Sequence, residues 1–186
     1  MEKSKKIDLR IIKTKRLINQ ALIDLLHKKS INKITVSELA QKAEINKGTF
    51  YLHYSDIYDL YQHALNEHLI ELVDQIDFMD LFVYDPDAFS RNLVHYSLDQ
   101  PLFDKDPFFS KDNLSFNQGA HIYFCNALGA KVLERTDIPS TLENQEKLKF
   151  IFAGSGSLLR YDSQKDSELI ISIISASIKS LFPAFD

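Results

Sequence analysis

Residues Ile34 to Tyr54 read ITVSELAQKAEINKGTFYLHY. Thr35, followed at the third position by Glu38, is a capping-box pair that opens a helix. Val36, Leu39, Ala40 and Ala43 then fall on one apolar face at helical spacing. Glu44-Ile45-Asn46 breaks the period, and Asn46 is a good N-cap for another helix over about Lys47 to His53. Ile45 and Phe50 are the apolar anchors of the crossing. Lys47, Gly48, Thr49, Tyr51 and His53 include few residues that belong in a core. Two short helices joined by a tight turn form the helix-turn-helix unit, whose second helix enters the DNA major groove.

The sequence before this stretch supports that reading. Residues 1–8 are a basic arm with Lys3, Lys5 and Lys6. A first helix runs from about Leu9 or Thr14 to Lys28, with Leu17, Ile18, Ala21, Leu22, Leu25 and Leu26 on its apolar face. Residues 1–55 hold 12 Lys/Arg and 5 Asp/Glu, a balance of +7, while residues 56–186 hold 10 and 21, a balance of −11; together they make the net −4. A basic head on an acidic body points the head, not the body, at a polyanion.

The remaining sequence also reads as helices. Ser55 or Asp56 caps a helix to about Ile76, and Pro86, after Asp85, starts one to about Leu98. Residues 99–114 read as a loop, whose Phe103, Phe108 and Phe109 predict that it packs down. Ser115 and Gln118 form a second capping-box signature, predicting a helix to about Arg135. Further helices are expected to about Tyr161 and over about Asp166–Phe182, where Pro183 ends the pattern. Only five Gly and five Pro interrupt a chain that is 45% apolar. The expected fold is all-α: a three-helix head at residues 1–55 on a larger helical body for ligand binding and dimerisation at residues 56–186.

Several chemistries are excluded or left without support. No run of about 18 apolar residues is present to span a membrane, and the basic N-terminus lacks the apolar region of a secretory signal. The single cysteine, Cys125, allows no intrachain disulfide and suits a reducing cytoplasm. His63 and His68 are poorly spaced to share a metal. Gly154-Ser155-Gly156-Ser157 follows no strand and lacks the spacing of a nucleophile elbow; small residues there allow close helix packing. No metal, cofactor or enzymatic activity is expected.

Thr14-Lys15-Arg16-Leu17-Ile18, Ile34–Ala43, Asn46-Lys47-Gly48-Thr49-Phe50-Tyr51 and His53-Tyr54 together resemble the N-terminal domain of the TetR family of transcriptional regulators. The resemblance covers about residues 10–60. Phe150 to Gly154 with Leu158 to Tyr161 also resembles the penultimate helix of that family's dimerisation region. The family commonly has glycine where this chain has Glu44, and a Glu with positive φ would cost on the order of 1 kcal/mol. It also commonly has lysine near Ser55 and Ile57.

The motif and the resemblance define three residue sets. For DNA, the free backbone N–H groups of the helix start at Thr35, Val36 and Ser37 suit a phosphate, and Tyr51, His53 and Tyr54 resemble the family's phosphate-contacting positions; Asn46, Lys47 and Thr49 face the groove; Gly48 permits close approach; and Lys5, Lys6 and Arg10 add attraction to phosphates or the minor groove. Twelve of the thirteen Phe follow residue 55, and Tyr96, Phe103, Phe109, His121, Tyr123 and Phe124 are candidates for a pocket. Phe152, Gly154, Leu158, Ile171, Ile174, Ile178 and Leu181 are candidates for a dimer interface. The expected protein is a ligand-responsive repressor, a homodimer on a palindromic double-stranded operator, with a small-molecule effector and no membrane partner. Competing readings are a non-inducible architectural or cell-division factor of the same fold, and a helical ligand-binding module or enzyme.

Overall fold

The computed structural model describes residues 9–99, 106–110, 112–117, 119–160 and 166–183, and among these it is all-helical. The helices are α1 (Leu9–Leu26), α2 (Val36–Lys42), α3 (Lys47–Tyr51), α4 (Ile57–Asp74), α5 (Leu81–Tyr84), α6 (Pro86–Asp99), α7 (Ala120–Arg135), α8 (Leu142–Arg160) and α9 (Ser167–Leu181). Most begin where a side chain can satisfy the free amides of a first turn. Thr35 Oγ1 accepts from Glu38 N, Asn46 Oδ1 from Thr49 N, Asp56 Oδ1 from Tyr58 N and Asp59 N, Asp85 Oδ1 from Ala88 N, and Asp166 Oδ1 from Glu168 N and Leu169 N. Helix α7 departs from the reading of Ser115 and Gln118 as its cap. The chain instead makes a 3₁₀ turn over Leu114–Phe116, and the helix starts at Ala120 after Gly119 turns with φ +94°. Asn117 is bonded elsewhere, to Tyr61 and the Phe108 carbonyl, which commits the residues around it to a different backbone path.

Packing divides the molecule into two units: the described residues of Met1–Leu65 and Phe103–Asn117, and those of Asn66–Leu102 and Gln118–Asp186. This division differs from the expected 55/56 boundary. The first turns of α4 belong with the head because Ile57, Leu60, Tyr61, Ala64 and Leu65 are all buried. The 106–117 segment joins them by long-range hydrogen bonds that no local pattern encodes.

In the first unit, α1 packs on α2 and α2 on α3. Ile18, Leu22, Leu39 and Phe50 are fully buried. Leu17, expected on the same face, is 44% exposed, one helical step off the buried stripe. In the second unit α6 packs on α9 and α7 on α8. Phe82 is its aromatic centre, with ring centroids 5.2 Å from Phe89, 6.0 Å from Phe152 and 5.4 Å from Phe182. Each such burial contributes about 1.5–3 kcal/mol. The exposed ion pairs Lys147–Glu143 and Lys149–Glu146 are each worth about 0–1 kcal/mol. Apolar packing therefore dominates the stability of this unit.

Candidate nucleic-acid interface

The turn between α2 and α3 sets the pose of the second helix. The chain leaves α2 through Glu44, whose φ of +55° makes it the one non-glycine residue in the left-handed region among the described residues. Glu44 N donates to Gln41 O at 3.2 Å and Ile45 N to Ala40 O at 3.0 Å, so the last carbonyls of α2 are satisfied in the manner of a left-handed helix cap. Half-buried Ile45 then tucks in and Asn46 restarts the helix. The conformation is the one glycine adopts most easily; here a glutamate adopts it.

Helix α3 spans five residues and stops two short of the expected His53. Lys47, Gly48, Tyr51 and Leu52 are exposed, with Tyr51 at 57% and Leu52 at 82%. Their spacing places them on one outward face. Leu52 was missed as a site candidate, although it follows Gly48 by four positions, and that spacing alone could have found it. Thr49 and His53 are half-buried. Asn46 Oδ1 also accepts the Thr49 hydroxyl, at 3.1 Å, so Asn46 and Thr49 cap the helix with the groups that were expected to face a groove. A Cβ on Gly48 would lie 3.2 Å from that same oxygen, so the glycine also gives the cap room.

Tyr54 corrects the expectation of a phosphate contact. It is 4% exposed, its ring centroid is 5.9 Å from that of Phe50, and the Lys15 ammonium lies 6.0 Å from its centroid. It is a packing residue because, three positions past Tyr51, it falls on the inner side of the turn that leads into α4. Ile57, 6% exposed, is likewise core, so a lysine there would have to be buried. At Ser55, the backbone N–H and the hydroxyl both donate to Asp59 Oδ2, which holds the Asp59 carboxyl below its usual pKa.

Lys47 is the one charged side chain of α3. Lys42 pairs with Asp24 at 2.8 Å, an interaction that lowers the Asp24 pKa, and Lys29 pairs with Glu38. Lys47 takes part in neither pair and stays exposed. Thr35, Ser37 and Arg10 are exposed, as are Lys13, Lys15 and Arg16 on α1. Lys5 and Lys6 lie outside the described residues.

The profile described as bacterial regulatory proteins, tetR family, matches residues 18–64, which contain α2, the Glu44 turn and α3. Over residues 18–64 the chain is similar to the TetR family. The uncharacterized HTH-type transcriptional regulator YxbF of Bacillus subtilis (strain 168) is 33% identical over 76 residues, 40% of this chain and 20% of that protein. The match thus spans a fifth of that relative's length. A TetR transcriptional regulator from Rhodococcus sp. RHA1 superposes with a TM-score of 0.56 at 15% identity, covering 96% of this chain and 100% of its own, a likeness of fold. The dihydroxyacetone kinase operon activator DhaS covers 90% of this chain and 91% of its own at 19% identity and a TM-score of 0.45, too distant to carry an argument.

The pocket candidates are divided between the two units. Phe109 belongs to the first unit, while Tyr96, His121, Tyr123 and Phe124 belong to the second; Phe103 lies outside the described residues. Tyr96 packs its ring on Phe78, with centroids 6.1 Å apart, and burial raises its pKa. His121 lies against Gly156, with Cys125 Sγ 3.6 Å from its Nε2. Tyr123 alone of the set lines the groove between α4 and α7. That groove, 520 Å³, is walled by Leu69, Ile70 and Val73 on one side and by Ala127 and Ala130 on the other. Asn66 is also among its lining residues; its Oδ1 is buried and without a hydrogen-bond partner.

The dimer candidates are corrected by register. Ile171, Ile174, Ile178 and Phe152 are 5%, 2%, 0% and 2% exposed, and Leu158 and Leu181 pack against the same core. These residues are used up by their own protomer. The outward stripes are Leu142, Phe150, Ala153, Gly154 and Ser157 on α8, and Leu169, Ile173, Ala176 and Ser180 on α9. Phe150 is 70% exposed and Leu169 57%. Gly154 is the one expected dimer residue that is fully on this face.

Proposed function

We propose that this protein is a sequence-specific DNA-binding transcriptional regulator that acts as a homodimer on a two-fold-symmetric duplex. The observation that carries the reading is the exposed α3 face of Lys47, Gly48, Tyr51 and Leu52, held by the Glu44 turn and the Asn46 cap inside a head similar to the TetR family. In this role Lys47 and Tyr51 meet phosphate and base edges, His53 and Arg10 add donors, and Thr35 and Ser37 bring the start of α2 to the backbone. Lys5 and Lys6 add positive charge to the sequence ahead of α1. A five-residue helix reaches few bases, so useful specificity calls for two copies on paired half-sites. A second copy of this chain is the occupant for the apolar stripes of α8 and α9, with Phe150 and Ile173 as anchors.

An effector-responsive repressor is the finer reading, and the α4/α7 groove supports it over a non-inducible factor. Its walls of Leu69, Ile70, Val73, Ala127 and Ala130 suit a mainly apolar small molecule. Such a molecule would change operator affinity only if it binds the DNA-competent and incompetent states unequally.

The test is selection of duplexes from a randomised pool by the full chain, followed by fluorescence anisotropy across salt concentrations. The expected result is an enriched palindrome bound with an affinity that falls steeply with salt. Lys47→Ala and Tyr51→Ala should each weaken binding by about 1–3 kcal/mol. Undiminished binding by both variants would remove the contact assignment, and failure of the wild type to enrich any duplex would remove the DNA-binding reading.

A further inference from the structure

The helix-turn-helix is bracketed by two elements, and one distant segment holds both. The first element is the 3₁₀ turn Ile31–Lys33, which connects α1 to α2; the second is the opening of α4. Asn113, 0% exposed, accepts the Ile31 N–H at its Oδ1 at 2.9 Å and donates from Nδ2 to Pro107 O at 3.0 Å. Tyr61, also fully buried, aims its hydroxyl at Phe108 O, 2.9 Å away, and at Asn117 Oδ1, 2.6 Å away. Gln62 Nε2 donates to Phe116 O at 2.9 Å, and Tyr58 stacks on Phe116 with centroids 5.5 Å apart. Phe108, 1% exposed, plugs the interior of this unit beside Tyr61. Burial raises the Tyr61 hydroxyl's pKa, so it stays protonated as a donor.

We propose that the segment 106–117 is a brace for the DNA-reading head and that Asn113 is its positioning residue, so that DNA affinity depends on side chains that never touch DNA. The proposal rests on the DNA-binding reading above. The chain enters the brace from α6 and leaves it into α7, two helices of the second unit. A buried amide must find an acceptor, and Ile31 N–H finds its acceptor in a residue 82 positions away. Losing the brace therefore frees the α1–α2 turn at one end and the start of α4 at the other. The pose of α2 and α3 is what lies between them.

The experiment uses the full chain with Asn113→Leu, which keeps the branching and number of side-chain heavy atoms and removes both hydrogen bonds, and separately Tyr61→Phe, which loosens the brace without touching the Ile31 turn. The probe is a duplex that the wild type enriches from a randomised pool. The readouts are amide exchange at Ile31 and the slope of log affinity on log salt, taken at a temperature where circular dichroism shows each variant fully helical. The expected results are Ile31 exchange faster by about tenfold or more in Asn113→Leu, the equivalent of one buried hydrogen bond, affinity lower by about three- to tenfold in both variants, and a shallower salt slope. A role limited to stability would rescale affinity through the folded fraction and leave the slope unchanged, because the number of phosphates met would be the same. Unchanged affinity and slope in the folded variants would overturn the brace. If Asn113→Leu does not fold, Tyr61→Phe decides by the same slope. Failure of the wild type to enrich any duplex would instead overturn the DNA-binding reading.

Discussion

Glu44→Gly should stabilise the head. The glutamate has a φ of +55° and donates its N–H to Gln41 O, so it cannot relax without breaking the cap of α2. A side chain in the left-handed region costs roughly 1–2 kcal/mol. Glycine removes that cost but adds about 0.5–1 kcal/mol of chain entropy to the unfolded state. The net gain is then about 0.5–1 kcal/mol. If the chain unfolds cooperatively, that is a rise of about 1–4 °C in melting temperature; amide exchange at Ile45, whose N–H closes the cap on Ala40 O, reads the same gain locally. The series separates backbone from charge. Glu44→Ala removes the carboxylate but keeps the Cβ and should change little, Glu44→Asn should recover part of the gain, and Glu44→Val should lose at least 1 kcal/mol because a β-branched residue fits this region worst. A Glu44→Ala variant as stable as Glu44→Gly would refute the backbone argument and assign the effect to charge.

Other expectations follow from the second unit. Phe150→Asp or Ile173→Asp places a charge on an exposed stripe and should leave each protomer folded but monomeric by analytical ultracentrifugation, whereas Ile174→Asp, at a position 2% exposed, should unfold it. Gly156→Ala sets a Cβ 2.5 Å from His121 Nε2, so the His121 ring must move and urea titration should show less gain than for Gly154→Ala, which has nothing within 4 Å of the added atom and should stabilise the isolated chain by up to about 1 kcal/mol. Lys179 and Ser175 hydrogen bonds hold the Asp87 carboxyl below its usual range. A depressed folded pKa gives stability that is full above the unfolded value and is lost as pH falls through the folded one, so any stability difference between wild type and Asp87→Asn should shrink as pH drops below about 4 and vanish once Asp87 is protonated in the folded chain. High salt should shrink the same difference at neutral pH, because the pair is exposed.

The caps illustrate what could be read without coordinates. Thr35, Asn46, Asp85 and Asp166 each bond an amide two or three residues on, so the information needed lies within one helical turn. Glu44 is different: only the resemblance, through the glycine common at that place, draws notice to it, and its φ of +55° is a finding of the structure. Apolar identity alone was less informative. Tyr54 and Tyr51 look equivalent as letters, yet one is core and the other is exposed, since the turn after α3 rotates them apart. The isoleucines of α9 illustrate the same limit. Ile170, Ile171, Ile173, Ile174 and Ile178 all fit an apolar pattern, and four of them face the protomer's own core, leaving Ile173 outward.

By itself the sequence determined the all-helical class, the helix-turn-helix and the basic head, because periodicity, capping and charge are legible over a few residues. Only the tertiary structure decided that the 106–117 segment belongs with the head, that Ile57 and Tyr54 are interior, and which stripe of α8 and α9 remains free. Those outcomes depend on the Asn113–Ile31 and Tyr61–Phe108 bonds and on the Phe82 cluster. Such contacts join residues tens of positions apart, and they form because buried amides and aromatic rings need partners that no local pattern names.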